Sequence, residues 1–430
     1  MAKPKLALIP ASQGTKLYSV LPANGVGDFA FTRGSSATRI NSQGLIETVA
    51  SGVSRLNYPL IDGVVNGCPS HLLEPLRLQL IQYSEDFTQG WIKTRSTVTS
   101  NNLISPDGTL NADKFSETNE TGLHALSKAE TVTSGSVYTF STFIKKGSSN
   151  FIQILFGTDN VTGNPYVNFD VNNGVVQNNG VTSADVKNYG NGWFRCSATI
   201  TTATTSMTTF VSKIQSISDG RASSFAGDVN EYVYIWGAQL EQGSFPTSYI
   251  PNYGTALGVT RVAETANGAG DASTFNDSEG VLMFEGSSIA NDGTYKVVSL
   301  RGTSNNILNV GYSSNSNNIY FYKEVNGVSH SPVLPQSAVN VLNFNKVAVS
   351  YSESINYLWI NGFKTVSSTG VGAFTNLSTL NLDSAGATPF YGNTKQIQYF
   401  DSALNDTELE TLTSWVSFSD MANSQLYSIE

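Results

Sequence analysis

Trp193-Phe194-Arg195-Cys196-Ser197-Ala198-Thr199-Ile200 decides the fold class. In an extended chain Phe194, Cys196, Ala198 and Ile200 fall on one face, and Trp193, Arg195, Ser197 and Thr199 on the other. Cys196 then reads as a small buried core residue. The same alternation recurs on both sides of this stretch, in Val137 to Ile144, Phe151 to Phe156, Tyr232 to Trp236, Lys346 to Tyr351 and Ile355 to Asn361. Between such segments Asn-Gly pairs begin at 24, 66, 173, 179, 191, 267, 326 and 361, and Asp-Gly pairs at 62, 107, 219 and 292. These pairs favour positive φ and two-residue hairpin turns. The expected fold is mainly β: two antiparallel β-sandwich (jelly-roll) domains behind a small irregular N-terminal region, with one short C-terminal helix.

That helix is expected to start at Asn405. Asn405 can cap, Glu408 stands where a capping-box partner belongs, and Leu404 with Leu409 forms a hydrophobic staple. Leu409, Leu412 and Val416 would then share the buried face.

Composition narrows the function classes. Charged residues make up 13% of the 430, well under the ordinary share, and Gly reaches 38. Disorder is excluded for most of the chain, because 22 Phe, 19 Tyr and 5 Trp bury enough apolar surface to offset chain entropy. A net charge of −9 without a Lys/Arg run gives no electrostatic footprint for nucleic acid. No apolar stretch approaches the ~18 residues of a membrane span, so membrane insertion is not expected. Leu6-Ala7-Leu8-Ile9 is too short for a signal-peptide core and ends at Pro10, so the N-terminus reads as mature protein made in the cytoplasm. Cys68 and Cys196 lie too far apart in sequence to suggest a disulfide framework.

Composition also suggests boundaries: an N-terminal region over 1–75 with three spaced arginines (Arg33, Arg39 and Arg55), a first sandwich over 76–262, an Ala/Gly/Asn-rich linker over 263–274, a second sandwich over 275–418, and a polar tail over 419–430.

Certain phrases carry a family likeness. Phe31-Thr32-Arg33-Gly34-Ser35-Ser36-Ala37-Thr38-Arg39-Ile40-Asn41 and Gly44-Leu45-Ile46-Glu47 resemble the opening module of many phage structural and tail-fibre-like proteins. Ser70-His71-Leu72-Leu73-Glu74-Pro75-Leu76-Arg77-Leu78-Gln79-Leu80 and Tyr83-Ser84-Glu85-Asp86-Phe87 resemble the segment next to that module in those proteins, with Gln79 where Asn is common. The stretch from Trp236-Gly237-Ala238-Gln239-Leu240-Glu241 to Thr247-Ser248-Tyr249-Ile250-Pro251 looks like the end of the carbohydrate-binding-module-like jelly roll of the same proteins. Residues 275–418, with Tyr357-Leu358-Trp359-Ile360-Asn361-Gly362 and Phe400-Asp401-Ser402-Ala403-Leu404, are similar to laminin-G-like or concanavalin-A-like domains. The resemblance implies a head- or tail-fibre protein of the virion, attached through its N-terminus, a homotrimer beside other virion proteins, adhering to host-surface glycans. It transfers no catalytic residue. Two alternatives stay open: a virion-associated polysaccharide-degrading enzyme, and a purely structural decoration of capsid or tail.

Sugar binding asks for exposed aromatic faces beside amides and carboxylates. Tyr312, Tyr320, Tyr322, Phe363 and Tyr391 are the candidate ligand-binding residues, with Tyr320 and Tyr322 on the face opposite Phe321. Trp91, Trp193, Trp236 and Trp359 read as core. Arg33 and Arg39 are candidates for virion attachment, with a solvated hairpin face as the plain alternative. Glu285, Glu324, Glu353 and Asp383 are scattered carboxylates, and no catalytic residue is assigned among them. Cys68 and His71 have a C-x-x-H spacing but lack a second ligand pair, so no metal site is assigned. No cofactor is expected. Structural calcium stays open on the oxygen donors Asp159, Asn160, Asp170 and Asn172, which lack EF-hand spacing and whose ordinary account is turn formation.

Overall fold

The computed structural model describes residues 2–158, 161, 163–303, 305–330, 339–417 and 420–421. Apart from 420–421, the tail over 419–430 lies outside the described residues, as do Asp159 and Asn160.

The middle of the chain folds as two facing six-stranded antiparallel sheets. One runs Ile92–Thr94, Ala125–Thr131, Ser206–Lys213, Phe151–Phe156, Tyr166–Asp170, Val175–Asn179. The other runs Ser96–Ile104, Leu110–Glu117, Tyr232–Gln242, Val137–Lys146, Trp193–Thr201, Ser183–Asn188. Phe115, Phe140, Ile152, Val167, Val211 and Ile235 fill the space between them, together with Cys196, Ala198 and Ile200. The deciding stretch therefore alternates as expected, but its outward face is covered too. Trp193 packs with Phe143, Trp236 and Tyr249 under Ile46 of the N-terminal region, which forms a partial third layer. Arg195 in that layer is buried; it donates to Thr247 O at 2.7 Å and Ser141 Oγ at 2.9 Å.

The second sandwich opposes a five-stranded sheet to a larger one. The smaller runs Val328–His330, Ile319–Val325, Asn306–Tyr312, Lys296–Arg301, Thr379–Asn381. The larger carries Gly392–Phe400, Glu279–Ser288, Asn345–Ser352, Ile355–Ile360 and Phe363–Thr369, and then continues into the N-terminal region. Leu6–Gln13 pairs antiparallel with Gly392–Phe400, placing Leu6 opposite Tyr399, and Lys16–Leu21, Phe29–Thr32 and Thr265–Asn267 follow in order. Leu6, Leu8, Leu17, Phe29 and Phe31 share one core with Leu282, Phe284 and Ile397. The first and last strands of the chain thus close the same sandwich, and Thr265–Asn267, inside the stretch whose composition suggested a linker, is an edge strand of it.

Turn chemistry sets the hairpin registers. Asn361 and Gly362 take φ of 50° and 89° and bring Ile360 opposite Phe363; Asn326 and Gly327, at 49° and 84°, bring Val325 opposite Val328. Both residues of such a turn need positive φ, which Asn and Gly tolerate best.

The helix spans Asp406–Thr413 with both halves of the Asn405/Glu408 capping box formed. Leu404, Leu409 and Leu412 pack on Val281, Met283, Ala348 and Trp359, covering the outer face of the larger sheet. Val416 corrects the sequence reading: the helix ends at Ser414, where an extended backbone takes over, and Val416 stands exposed beyond it.

Candidate functional site

The two stretches that carry the family likeness, Ser70 to Phe87 and Trp236 to Pro251, meet in space and build two features side by side. Gln79 stitches them: its Nε2 donates to Ala238 O at 2.7 Å, and its Oε1 accepts from Leu240 N at 2.9 Å.

The first feature is a buried ionic clasp. Glu264 Oε1 accepts from Arg33 Nη1 at 2.7 Å and Arg55 Nε at 2.9 Å, while Oε2 takes Arg55 Nη2 and, at 2.9 Å, Glu74 N. Glu74 Oε2 accepts from Arg261 Nη1 and Ser248 Oγ, both at 2.6 Å, and lies 2.9 Å from Arg55 Nη1. Burial alone would raise the Glu74 pKa, but Arg261 and Arg55 outweigh it and hold the carboxyl down at about 2. The clasp ties the N-terminal region, both likeness stretches and the segment before Thr265 into one charge-satisfied knot.

Arg33 is therefore not an accessible attachment residue. Its guanidinium is fully buried, and beyond Glu264 it donates to Ala50 O at 2.6 Å and Ser35 O at 2.7 Å. Arg39 lies on the hairpin Ala37–Ile40/Ile46–Val49, partly exposed, with Nε 2.8 Å from Glu47 Oε2 opposite it.

The second feature is a cleft of about 470 Å³ lined by Tyr83, Glu85, Asp86, Gln89, Asn252 and Tyr253. Its walls are fixed by hydrogen bonds between the two stretches. Ser84 Oγ lies 2.6 Å from Tyr249 Oη and accepts from Asn252 N at 2.9 Å; Ser84 N donates to Asn252 O at 2.9 Å. Asn252 Oδ1 accepts from Thr255 N and Gly254 N, holding the loop that presents Tyr253. Tyr83 takes a φ of 57°, uncommon for a bulky side chain, and its carbonyl accepts from Trp91 Nε1 at 3.4 Å. Tyr253 is 73% exposed, so its ring face is open to solvent.

Glu85 sits between these rings and the protein. Its Oε1 accepts from Tyr249 Oη at 3.1 Å and its Oε2 from Asn111 Nδ2 at 2.9 Å. Burial, aided by the nearby Asp107 carboxylate, pushes its pKa up to about 7 despite the hydrogen bond from Tyr249. The cleft thus offers two tyrosine rings, amide and carboxylate groups, and one carboxyl that exchanges its proton near neutrality.

The five aromatics chosen from sequence do not form one site. Tyr312 is corrected outright: it is 1% exposed, packed between Phe284 and Phe390, with its hydroxyl bonded to Gly286 O. Tyr320 is also buried, its ring 4.9 Å from that of Tyr295. Tyr322 is half-buried and donates to Glu324 Oε2 at 2.8 Å. Tyr391 packs half-buried on the core of the second sandwich. Phe363 alone is widely exposed, at the Asn361-Gly362 hairpin on the edge strand of the other sheet. The four tryptophans read as core are all buried, and so is Cys196, whose thiol burial pushes well above its ordinary value.

The scattered carboxylates have local partners. Glu285 is buried against Gln396 and Lys395, Asp383 accepts from Asn267 Nδ2 at 2.6 Å, and Glu353 sits exposed in a hairpin turn. Asp170 caps its own turn, accepting from Asn172 N, Asn150 Nδ2 and Asn173 Nδ2. Cys68 is exposed whereas His71 is buried and pushed by burial down to about 4; among the described residues no cluster of three His, Cys, Asp or Glu could hold a metal ion.

Sequence reasoning passed over the cleft although its signal was present. Tyr83-Ser84-Glu85-Asp86 and Tyr249 to Tyr253 combine tyrosines with acidic or amide side chains, the chemistry sought elsewhere in the aromatic-rich second sandwich.

No protein-family model matches the chain, and no curated protein sequence matches it. Solved structures similar to parts of it include the CBM40 domain of the Ruminococcus gnavus IT-sialidase bound to α2,3-sialyllactose, at 17% identity over 34% of this chain and 87% of that one, with a TM-score of 0.30. Domain 4 of a GH43 extracellular arabinanase from Geobacillus stearothermophilus, in complex with arabinotriose, is similar at 13% identity over 35% and 73%, TM-score 0.31. A heptameric SAP-like pentraxin from Limulus polyphemus is similar at 11% identity over 33% and 71%, TM-score 0.27. Scores this low transfer neither ligand nor activity to this chain.

Proposed function

We propose that the protein binds glycans without cleaving them and that the Tyr83–Glu85–Tyr253 cleft holds a neutral sugar residue. The observation that carries this reading is the cleft itself. An exposed tyrosine face suits the apolar side of a pyranose, and Gln89, Asp86 and Glu85 offer donors and acceptors for its hydroxyls. A carboxyl near its pKa can donate or accept toward a hydroxyl, so Glu85 adapts to either orientation of the guest. We place the protein on a phage particle as a fibre or spike, because the motifs around Arg33, Glu74 and Ser248 resemble those of phage structural proteins. Other virion proteins and further copies of this chain, as a trimer, are its proposed partners, and many weak sugar contacts per particle would supply adhesion through multivalency.

A glycan array read with the full chain and with Tyr253→Ala tests this. Binding that vanishes in the variant, with an unchanged circular-dichroism spectrum, supports the reading; binding equal in both overturns the site.

One observation favours polysaccharide cleavage as a second reading. Asn111 Nδ2 donates both to Glu85 Oε2 at 2.9 Å and to Asp107 Oδ2 at 3.1 Å, so two carboxyls of unlike proton affinity lie close together, as acid and nucleophile do in retaining glycosidases. Release of reducing ends from host polysaccharide, lost in Glu85→Gln, would decide for it.

A further inference from the structure

On the opposite sheet of the middle sandwich, the outward side chains of Phe151–Phe156 and Ser206–Lys213 include Gln153, Leu155, Thr208 and Phe210, since Ile152, Ile154, Phe156 and Val211 point into the core. Two buried amides pin a loop over this face. Gln153 Nε2 donates to Gly220 O at 3.0 Å and its Oε1 accepts from Ala222 N at 2.7 Å; Asn168 Nδ2 donates to Ile217 O and Asp219 O, both at 2.8 Å. Both amide residues are fully buried, and the loop they hold presents Arg221 to the sheet.

Arg221 closes one side of a cleft of about 310 Å³ whose floor is Leu155 and Phe210 and whose rim carries Thr158 and Thr208. Its Nη2 donates to Phe156 O, which fixes the guanidinium in place. Its Nε is buried and has no hydrogen-bond partner. Among the described residues no charged group acts on Arg221, although the chain as a whole carries nine more negative charges than positive. A guanidinium held by its backbone contact, drawn partly out of water and left without a carboxylate is an open seat for one. The apolar and aromatic floor beside it suits a ring with one apolar face, and the volume is at the lower end of ligand pockets, enough for one sugar ring.

We infer that this cleft is a second binding site, separate from the Tyr83–Tyr253 cleft, which takes a carboxylate-bearing sugar residue such as a uronic acid, its carboxylate on Arg221 and its ring on Leu155 and Phe210. The carboxylate half of the assignment rests on Arg221 alone; the sugar half rests on the glycan-binding reading above. The two clefts then have opposite chemistry, one rich in carboxyl groups and one cationic. Together they would let the chain select a polysaccharide in which neutral and acidic residues alternate.

Calorimetric titration of the full chain with methyl glucuronide, methyl glucoside and acetate tests the inference, alongside the variants Arg221→Gln, Arg221→Lys and Tyr253→Ala. The glucuronide is expected to bind in a salt-sensitive manner and about tenfold or more tighter than either the glucoside or acetate. Arg221→Gln abolishes that preference, Arg221→Lys keeps part of it because a point charge replaces a planar fork, and Tyr253→Ala leaves it unchanged. Glucuronide binding that is no tighter than glucoside or acetate, or that survives Arg221→Gln, would overturn it. A chain that binds glucuronide through Arg221 while no neutral glycan depends on Tyr253 keeps this inference and overturns the proposed function of the first cleft.

Discussion

Glu74 and Glu85 belong to neighbouring stretches of one strand-poor segment, and both are drawn out of water, yet they are held in opposite states. Glu74 faces Arg261 and Arg55 and falls to about 2; Glu85 faces Tyr249, Asn111 and the Asp107 carboxylate and rises to about 7. Burial acts in the same direction on both, so the difference lies in the company of arginines. A carboxylate paired with arginines is fixed as part of the scaffold. One buried among neutral donors keeps an exchangeable proton and stays free to meet a guest. The clasp and the cleft, built from the same two stretches, divide the work of holding the fold and offering chemistry.

The comparison breaks most severely at the clasp. Glu264→Ala would leave Arg33 and Arg55 buried without their carboxylate and is expected to cost about 3–5 kcal/mol, as the loss of one partner from a buried ion pair does. Urea unfolding followed by tryptophan fluorescence reads it; a loss below ~1 kcal/mol would show that the knot is dispensable.

The two carboxyls should also give stability slopes of opposite sign. Glu74, depressed below its unfolded value, adds stability that is present above about pH 4.5 and is lost as the pH falls toward 2. Glu85, raised, adds stability that is full below about 4.5 and is lost as the pH climbs through 7. Asp113, raised to about 6 by burial, acts in the same sense as Glu85 but is spent by then, so the slope between pH 6 and 7 is the mark of Glu85. Glu85→Gln should flatten that slope, a change on the order of 2 kcal/mol across the full window. An unchanged slope would mean that Glu85 titrates as an ordinary exposed carboxyl.

At the cleft the expected effect is on binding and not on stability. Tyr253→Ala should reduce affinity for a neutral glycan about tenfold or more while unfolding shifts by less than ~0.5 kcal/mol, because the ring is exposed and touches little else. The smallest effect belongs to Phe363→Ala. Equally exposed but isolated on an edge-strand hairpin, it should change neither stability nor glycan affinity beyond error, and a loss of binding there would return the site to the second sandwich.

The fold was legible where a local rule sufficed. The strands Phe151–Phe156 and Ile355–Ile360, the Asn-Gly hairpins and the Asn405/Glu408 capping box each depend on residues close together in sequence. The long-range pairings were not legible: nothing local says that Leu6 lies opposite Tyr399 or that Glu264 reaches Arg33. The site was missed for the same reason. Alternation separates the two faces of a strand but does not tell which face a second layer will cover, so Tyr312 and Tyr320 looked available and are buried. Tyr83 and Tyr253, each ordinary alone, become a site only when Ser84 and Asn252 bring their loops together.

The central claim is most directly tested by titrating an array-selected neutral oligosaccharide into the full chain and into Tyr253→Ala, and following heat and the protonation of Glu85 together. Saturable binding in the native chain that shifts the Glu85 titration and disappears in the variant is the predicted result; binding of equal strength in both chains, with Glu85 unmoved, would contradict it.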